Sequence, residues 1–173
     1  MKKESGFTFL EIILALVIFS IIVAVAGIGI VTGTKGYVFA RQNAHSAQKA
    51  QMALARITRE FQELYDITAA GTNPVSVTFE SSSGNHTIAL NNNEILIDGD
   101  TLIDGIKSNG FTLNFYKDDK SDKDDKSKWV QGTDDIEALT YIEIKINMTR
   151  NDVSARSLPF ETFVHPRNVG YAQ

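Results

Sequence analysis

An almost unbroken apolar run of about 20 residues, from Ile12 to Val31, follows a short charged leader at residues 1–6. A run of this length is enough to cross a bilayer as a helix. One residue does not fit a plain anchor. Glu11 stands directly ahead of the run, separated from the leader only by Phe7-Thr8-Phe9-Leu10. An ionised carboxylate deep in a bilayer costs roughly 2.5–3.5 kcal/mol on insertion scales, and less near the interface. A plain anchor would gain from Leu at that position. Either the acid meets a partner charge, or it snorkels to the headgroups at the cytoplasmic face.

A second processing route has to be weighed. Ala24-Val25-Ala26 is A-x-A-like, so an ordinary signal peptidase would cut before Gly27 and release a soluble binding protein or enzyme, or leave a membrane-anchored one if uncut. The apolar stretch exceeds the usual h-region of about 7–15 residues, and a secretory signal gives no reason for Glu11. Lys2 and Lys3 precede the run, so the positive-inside rule puts the leader in the cytoplasm and the remainder outside.

The 173 residues suit one globular domain plus an extension, and the formal net charge of −4 argues against nucleic acid as the main partner. No cysteine occurs, so thiolate chemistry is excluded and the exported part is held by its core alone.

After the run, Ala40, Ala44, Ala47, Leu54, Ile57, Phe61 and Leu64 recur at spacings of three and four, which predicts an amphipathic helix over residues 32–72 whose later half buries deepest. Gly27, Gly29, Gly33 and Gly36 lie at the junction with the apolar segment, residues 7–31. They either make it pliable, at about 1 kcal/mol each relative to Ala, or allow close helix packing. From residue 73 to 173 the pattern becomes strand-like. Val75-Ser76-Val77-Thr78-Phe79 alternates, Asn91-Asn92-Asn93 reads as a hairpin turn, and Phe111 to Tyr116 and Leu139 to Asn147 alternate again. Pro159 puts the last strand, Leu158 to Val164, at an edge. One long helix followed by about six or seven strands predicts an α+β fold with an antiparallel sheet.

Gly6-Phe7-Thr8-Phe9-Leu10-Glu11, with its basic leader and apolar sequel, resembles the processing site of type IV pilins and of type II secretion pseudopilins. That resemblance implies a cut between Gly6 and Phe7 by a prepilin peptidase, followed by N-methylation of Phe7. It also implies a pilin-like fold, a single-pass inner-membrane location with a periplasmic C-terminal domain, and later entry into a filament. Partners would be other major and minor pilins or pseudopilins and the inner-membrane assembly platform. Glu11 falls fifth after the cut, where the family keeps its glutamate. There it would neutralise the new amine of a neighbouring subunit and set axial register. The order of the later segments, with Trp129-Val130 and the Phe160 to Asn168 close, is similar to W-type minor pilins and J-type minor pseudopilins, which are thought to prime or cap assembly.

Other chemistry is thin. The stretch 117–128 alternates Asp and Lys. It reads as a solvated loop, a contact for a charged partner, or a weak calcium site on Asp118, Asp122 and Asp124, which the interleaved lysines oppose. His45, His86 and His165 lack metal-ligand companions at helical or hairpin spacing, and Ser81-Ser82-Ser83-Gly84 has no nucleophile-framing motif. No cofactor motif appears, and nothing argues for an enzyme.

Overall fold

A computed structural model of the chain describes residue 6 and residues 8–72, 75–117, 128–149, 157–167 and 169. The chain divides into two units, residues 1–44 and 45–173. One helix, α1 (Phe9–Gln62), contributes to both.

Between Ile12 and Val31 α1 is apolar on every side, with Ile12, Leu14, Val17, Phe19, Ile22, Val25 and Ile28 all exposed. A helix apolar all round has no aqueous face and belongs in lipid or among other helices. The hydroxyls of Ser20 and Thr34 donate to the carbonyls of Leu16 and Ile30, at 2.8 Å each, so neither offers an unsatisfied donor to hydrocarbon. The helix passes through Gly27, Gly29, Gly33 and Gly36 without a break. The space where a side chain would stand is open at each.

In the second unit the remaining turns of α1 bury Ala50, Ala53, Leu54, Ile57 and Phe61, the deep later half that the apolar spacing predicts. Eight strands follow among the described residues: β1 (Leu64–Thr72), β2 (Val75–Ser81), β3 (Gly84–Asn91), β4 (Glu94–Ile97), β5 (Asp100–Asp104), β6 (Ile106–Lys117), β7 (Leu139–Met148) and β8 (Leu158–Val164). They form an antiparallel meander ordered β1-β2-β3-β4-β5 and a smaller antiparallel sheet ordered β6-β7-β8. The helix packs on the strands in an α+β, pilin-like arrangement. Phe61, Phe79, Ile88, Ile95, Ile142, Ile144 and Ile146 meet in one core.

Three differences from the sequence reading have identifiable physical causes. The amphipathic helix stops at Gln62 rather than running to residue 72, because Leu64 and Ile67 bury on a strand that pairs with β2 along its length. Non-local pairing overrides a helical spacing that Leu64 happens to continue. The predicted single sheet is two: Gly105, at φ 78°, turns the chain out of β5, and Ile106 begins the second sheet. The additional strand is β1, which the helical spacing had claimed.

Turn chemistry accounts for the tight corners. Asp98 and Gly99 both have positive φ, 53° and 91°, the combination that Asp-Gly supplies in a two-residue hairpin. The Asn91-Asn92-Asn93 turn joins β3 to β4 as expected, with Asn92 at φ 54°. In β6, residues 107–110 interrupt the register with β7. Gly110 is needed there because a Cβ would stand 2.6 Å from the Lys107 carbonyl oxygen and 2.7 Å from that of Asn147. Pro159 lies on β8, an edge strand, as its missing N–H demands.

Candidate assembly site

Gly6 is exposed, while Phe7, the other half of the expected cut, lies outside the described residues. The helix begins just beyond. Thr8 and Glu11 hold each other: the Thr8 N–H donates to Glu11 Oε2 at 3.4 Å, and the Glu11 N–H donates to Thr8 Oγ1 at 3.3 Å. This reciprocal capping box satisfies amide donors that would otherwise point unpaired into an apolar medium. Its Thr-x-x-Glu spacing is legible in the chain, and an acid read only for its charge hides it.

Glu11 also sits at one end of a shallow hollow lined by Ile12, Ala15, Leu16 and Phe19. These positions share one helix face. The small Ala15 leaves room between larger neighbours, so the hollow suits the side chains of another apolar helix. Within the first unit, then, the site consists of an exposed glycine, a capped helix start, one carboxylate and an uncovered apolar surface.

The other candidate groups are in the globular unit. Asp118, Asp122 and Asp124 lie outside the described residues, and among the described residues no cluster of three or more metal-ligating side chains occurs. The histidines are not brought together. His45 is exposed, and His165 donates from Nδ1 to the Thr140 carbonyl at 3.0 Å. His86 lies between Ser83, whose Oγ is 2.8 Å from Nε2, and Asp98, whose Oδ2 is 2.6 Å from Nδ1. This chain of bonds ties the β2–β3 turn to the β4–β5 turn. Burial opposes ionisation of Asp98, but the bonds from His86 and the Thr87 N–H outweigh it and hold the carboxyl below the usual range.

Glu143, on β7, is a second such group. It is only 7% exposed, yet ionised. Burial pushes its carboxyl up, but bonds from Lys145 Nζ at 2.9 Å and Asn114 Nδ2 at 2.7 Å pull it below the ordinary range. Asn114 comes from the neighbouring strand, so no local pattern could reveal the pair. Because the folded form holds this proton less tightly than the unfolded chain, the stabilisation is present above the ordinary carboxylate range and is lost as pH falls through it. Glu143→Ala should cost about 1–3 kcal/mol at neutral pH, and the deficit should shrink below about pH 4. Denaturant titrations at both pH values check this.

Comparison with known proteins adds one finding. A family model described as the prokaryotic N-terminal methylation motif matches residues 1–27. No curated protein and no solved structure matches the chain. The motif implies processing by a prepilin peptidase and assembly with other pilins, and together with the apolar helix it fits inner-membrane anchoring ahead of a C-terminal domain. The W-type or J-type assignment gains no support from it. Over residues 1–27 the chain is similar to the prokaryotic N-terminal methylation motif, the processing signal of type IV pilins and pseudopilins.

Proposed function

We propose that this chain is a minor subunit of a type IV pilus or type II secretion pseudopilus, helping to initiate or cap its assembly. Residues 1–6 are the leader, cut from Phe7 at Gly6, and the new N-terminal residue is methylated. Residues 7–31 form the membrane and assembly segment, and the globular part faces the periplasm until the subunit is drawn into the filament. The observation that carries the reading is the match of residues 1–27 to the methylation motif, joined to a helix whose apolar surface is exposed on every side.

In this reading the apolar segment leaves lipid only to enter a bundle of like helices, so extraction exposes little of it to water. Glu11 of one subunit meets the positive amine of its neighbour, and each charge removes the other's cost in a low-dielectric surrounding. The subunit's task is structural. Deleting the gene tests this. Filament number should fall sharply, and the chain should form only a small share of sheared filaments from the complemented strain. Unchanged filament number, or this chain as the bulk of the fibre, would contradict a minor initiating role.

A further inference from the structure

We propose that Ser83, His86 and Asp98 form an acyl-transfer site, with Ser83 Oγ as the nucleophile and an aryl ester or thioester as the acyl donor. The site does not depend on whether the chain enters a filament. Two tight turns of the five-stranded sheet bring the three side chains together. Ser83 lies in the two-residue turn between β2 and β3, and Asp98 in the one between β4 and β5. His86, on β3, reaches both. Its Nε2 is 2.8 Å from Ser83 Oγ, and its Nδ1 is 2.6 Å from Asp98 Oδ2. The Asp98 carboxyl, held below the ordinary range, is ionised and can only accept. Nδ1 therefore carries the ring hydrogen, and Nε2 of the neutral ring accepts from the Ser83 hydroxyl. Nucleophile, general base and orienting acid stand in that order.

Each member is held in place. Thr87 pins Asp98 twice: the Asp98 N–H donates to the Thr87 carbonyl at 2.8 Å, and Asp98 Oδ1 accepts the Thr87 N–H at 2.7 Å. The His86 ring rests against buried Phe79, with centroids 5.8 Å apart, and its side chain is 19% exposed. Ser83 is exposed, so a solute can reach its hydroxyl, while the buried Ser81 places its own Oγ 3.0 Å away. A base shielded from water beside a nucleophile open to it is the arrangement that nucleophilic catalysis needs.

Ser83 Oγ attacks the carbonyl carbon of the donor while its proton passes to His86 Nε2. The new C–O bond forms, the bond to the leaving oxygen or sulfur breaks, and Nε2 hands the proton to the leaving group. Ser83 is left acylated. Water then gives a proton to His86, attacks the ester, releases the carboxylic acid and restores the Ser83 hydroxyl. The Ser83 N–H is directed to Ser81 Oγ at 3.3 Å and not to a reacting carbonyl. The matching donors are therefore those whose leaving group departs readily without strong stabilisation of an oxyanion. Aryl esters and thioesters meet that condition, and amides do not.

The first probe is a fluorophosphonate, which an activated serine hydroxyl displaces from fluoride and retains, added to the full chain in detergent micelles. Peptide mass spectrometry should find the label on Ser83. Ser82 is the internal comparison, since it is exposed beside Ser83 but bonds to Glu63 Oε2 at 3.3 Å, and it should stay unlabelled. His86→Gln should slow labelling of Ser83 by about 100-fold or more. The second probe is p-nitrophenyl acetate, whose cleavage by the parent chain should be lost in Ser83→Ala and kept in Ser82→Ala. No label on Ser83, equal labelling of Ser82, labelling unchanged in His86→Gln, or a Ser83→Ala chain that cleaves the ester as fast as the parent would each overturn the proposal.

Discussion

Glu11→Gln should leave the chain inserted and cut, yet lower its recovery in filaments by roughly 100-fold or more. The choice of Gln separates two roles that Ala would remove together. Thr8 and Glu11 form a capping box in the single chain, and Gln fills that position as well as Glu does. Losing the cap alone costs about 0.5–2 kcal/mol. Losing one member of a buried charge pair costs about 3–5 kcal/mol, because the remaining charge stands uncompensated. The larger quantity belongs to the assembled state, so the effect should appear in filament recovery and not in membrane insertion. Quantitative immunoblots of membrane and sheared-filament fractions measure both. Normal recovery of the Gln variant would leave Glu11 as a helix cap and refute the pairing account.

Phe61→Ala should destabilise the globular unit by about 3–5 kcal/mol. Phe61 is fully buried where α1 meets the strands, and its ring stands edge-on to Phe79 with centroids 5.2 Å apart. Truncation removes the transfer energy of the ring, leaves a cavity and breaks an aromatic pair. Against a typical domain stability of about 5–15 kcal/mol this is a large fraction, and no disulfide exists to offset it. The melting temperature should fall by roughly 10–20 °C, followed by near-ultraviolet circular dichroism in detergent. Met52, on the exposed side of the same helix, is the control, and its replacement by Ala should stay within about 0.5 kcal/mol. A Phe61 variant as stable as the control would mean the helix does not pack as described.

The parts of this fold that are legible in the chain are those written in short-range patterns. The apolar run, the stripe through Ala50, Leu54, Ile57 and Phe61, and the alternation of Val75, Val77 and Phe79 each state their own burial. The Asn91-Asn92-Asn93 corner and the edge position of Pro159 follow from backbone chemistry in the same way. What escapes local reading depends on partners distant in sequence. Leu64 continues a helical spacing, and only the presence of β2 makes it the start of a strand. Gly105 looks like any turn glycine, yet it ends one sheet and opens another. The burial of Glu143 requires Asn114 from the neighbouring strand and Lys145 from its own. At the candidate site, the motif around Gly6, Phe7 and Glu11 is wholly local, which is why it could be read first.

The most direct test of the central claim is mass spectrometry of the mature N-terminus, isolated from the native host. The expected product begins at Phe7 and carries one added methyl group on its amine. A product beginning at Gly27, or an intact one beginning at Met1, would contradict it.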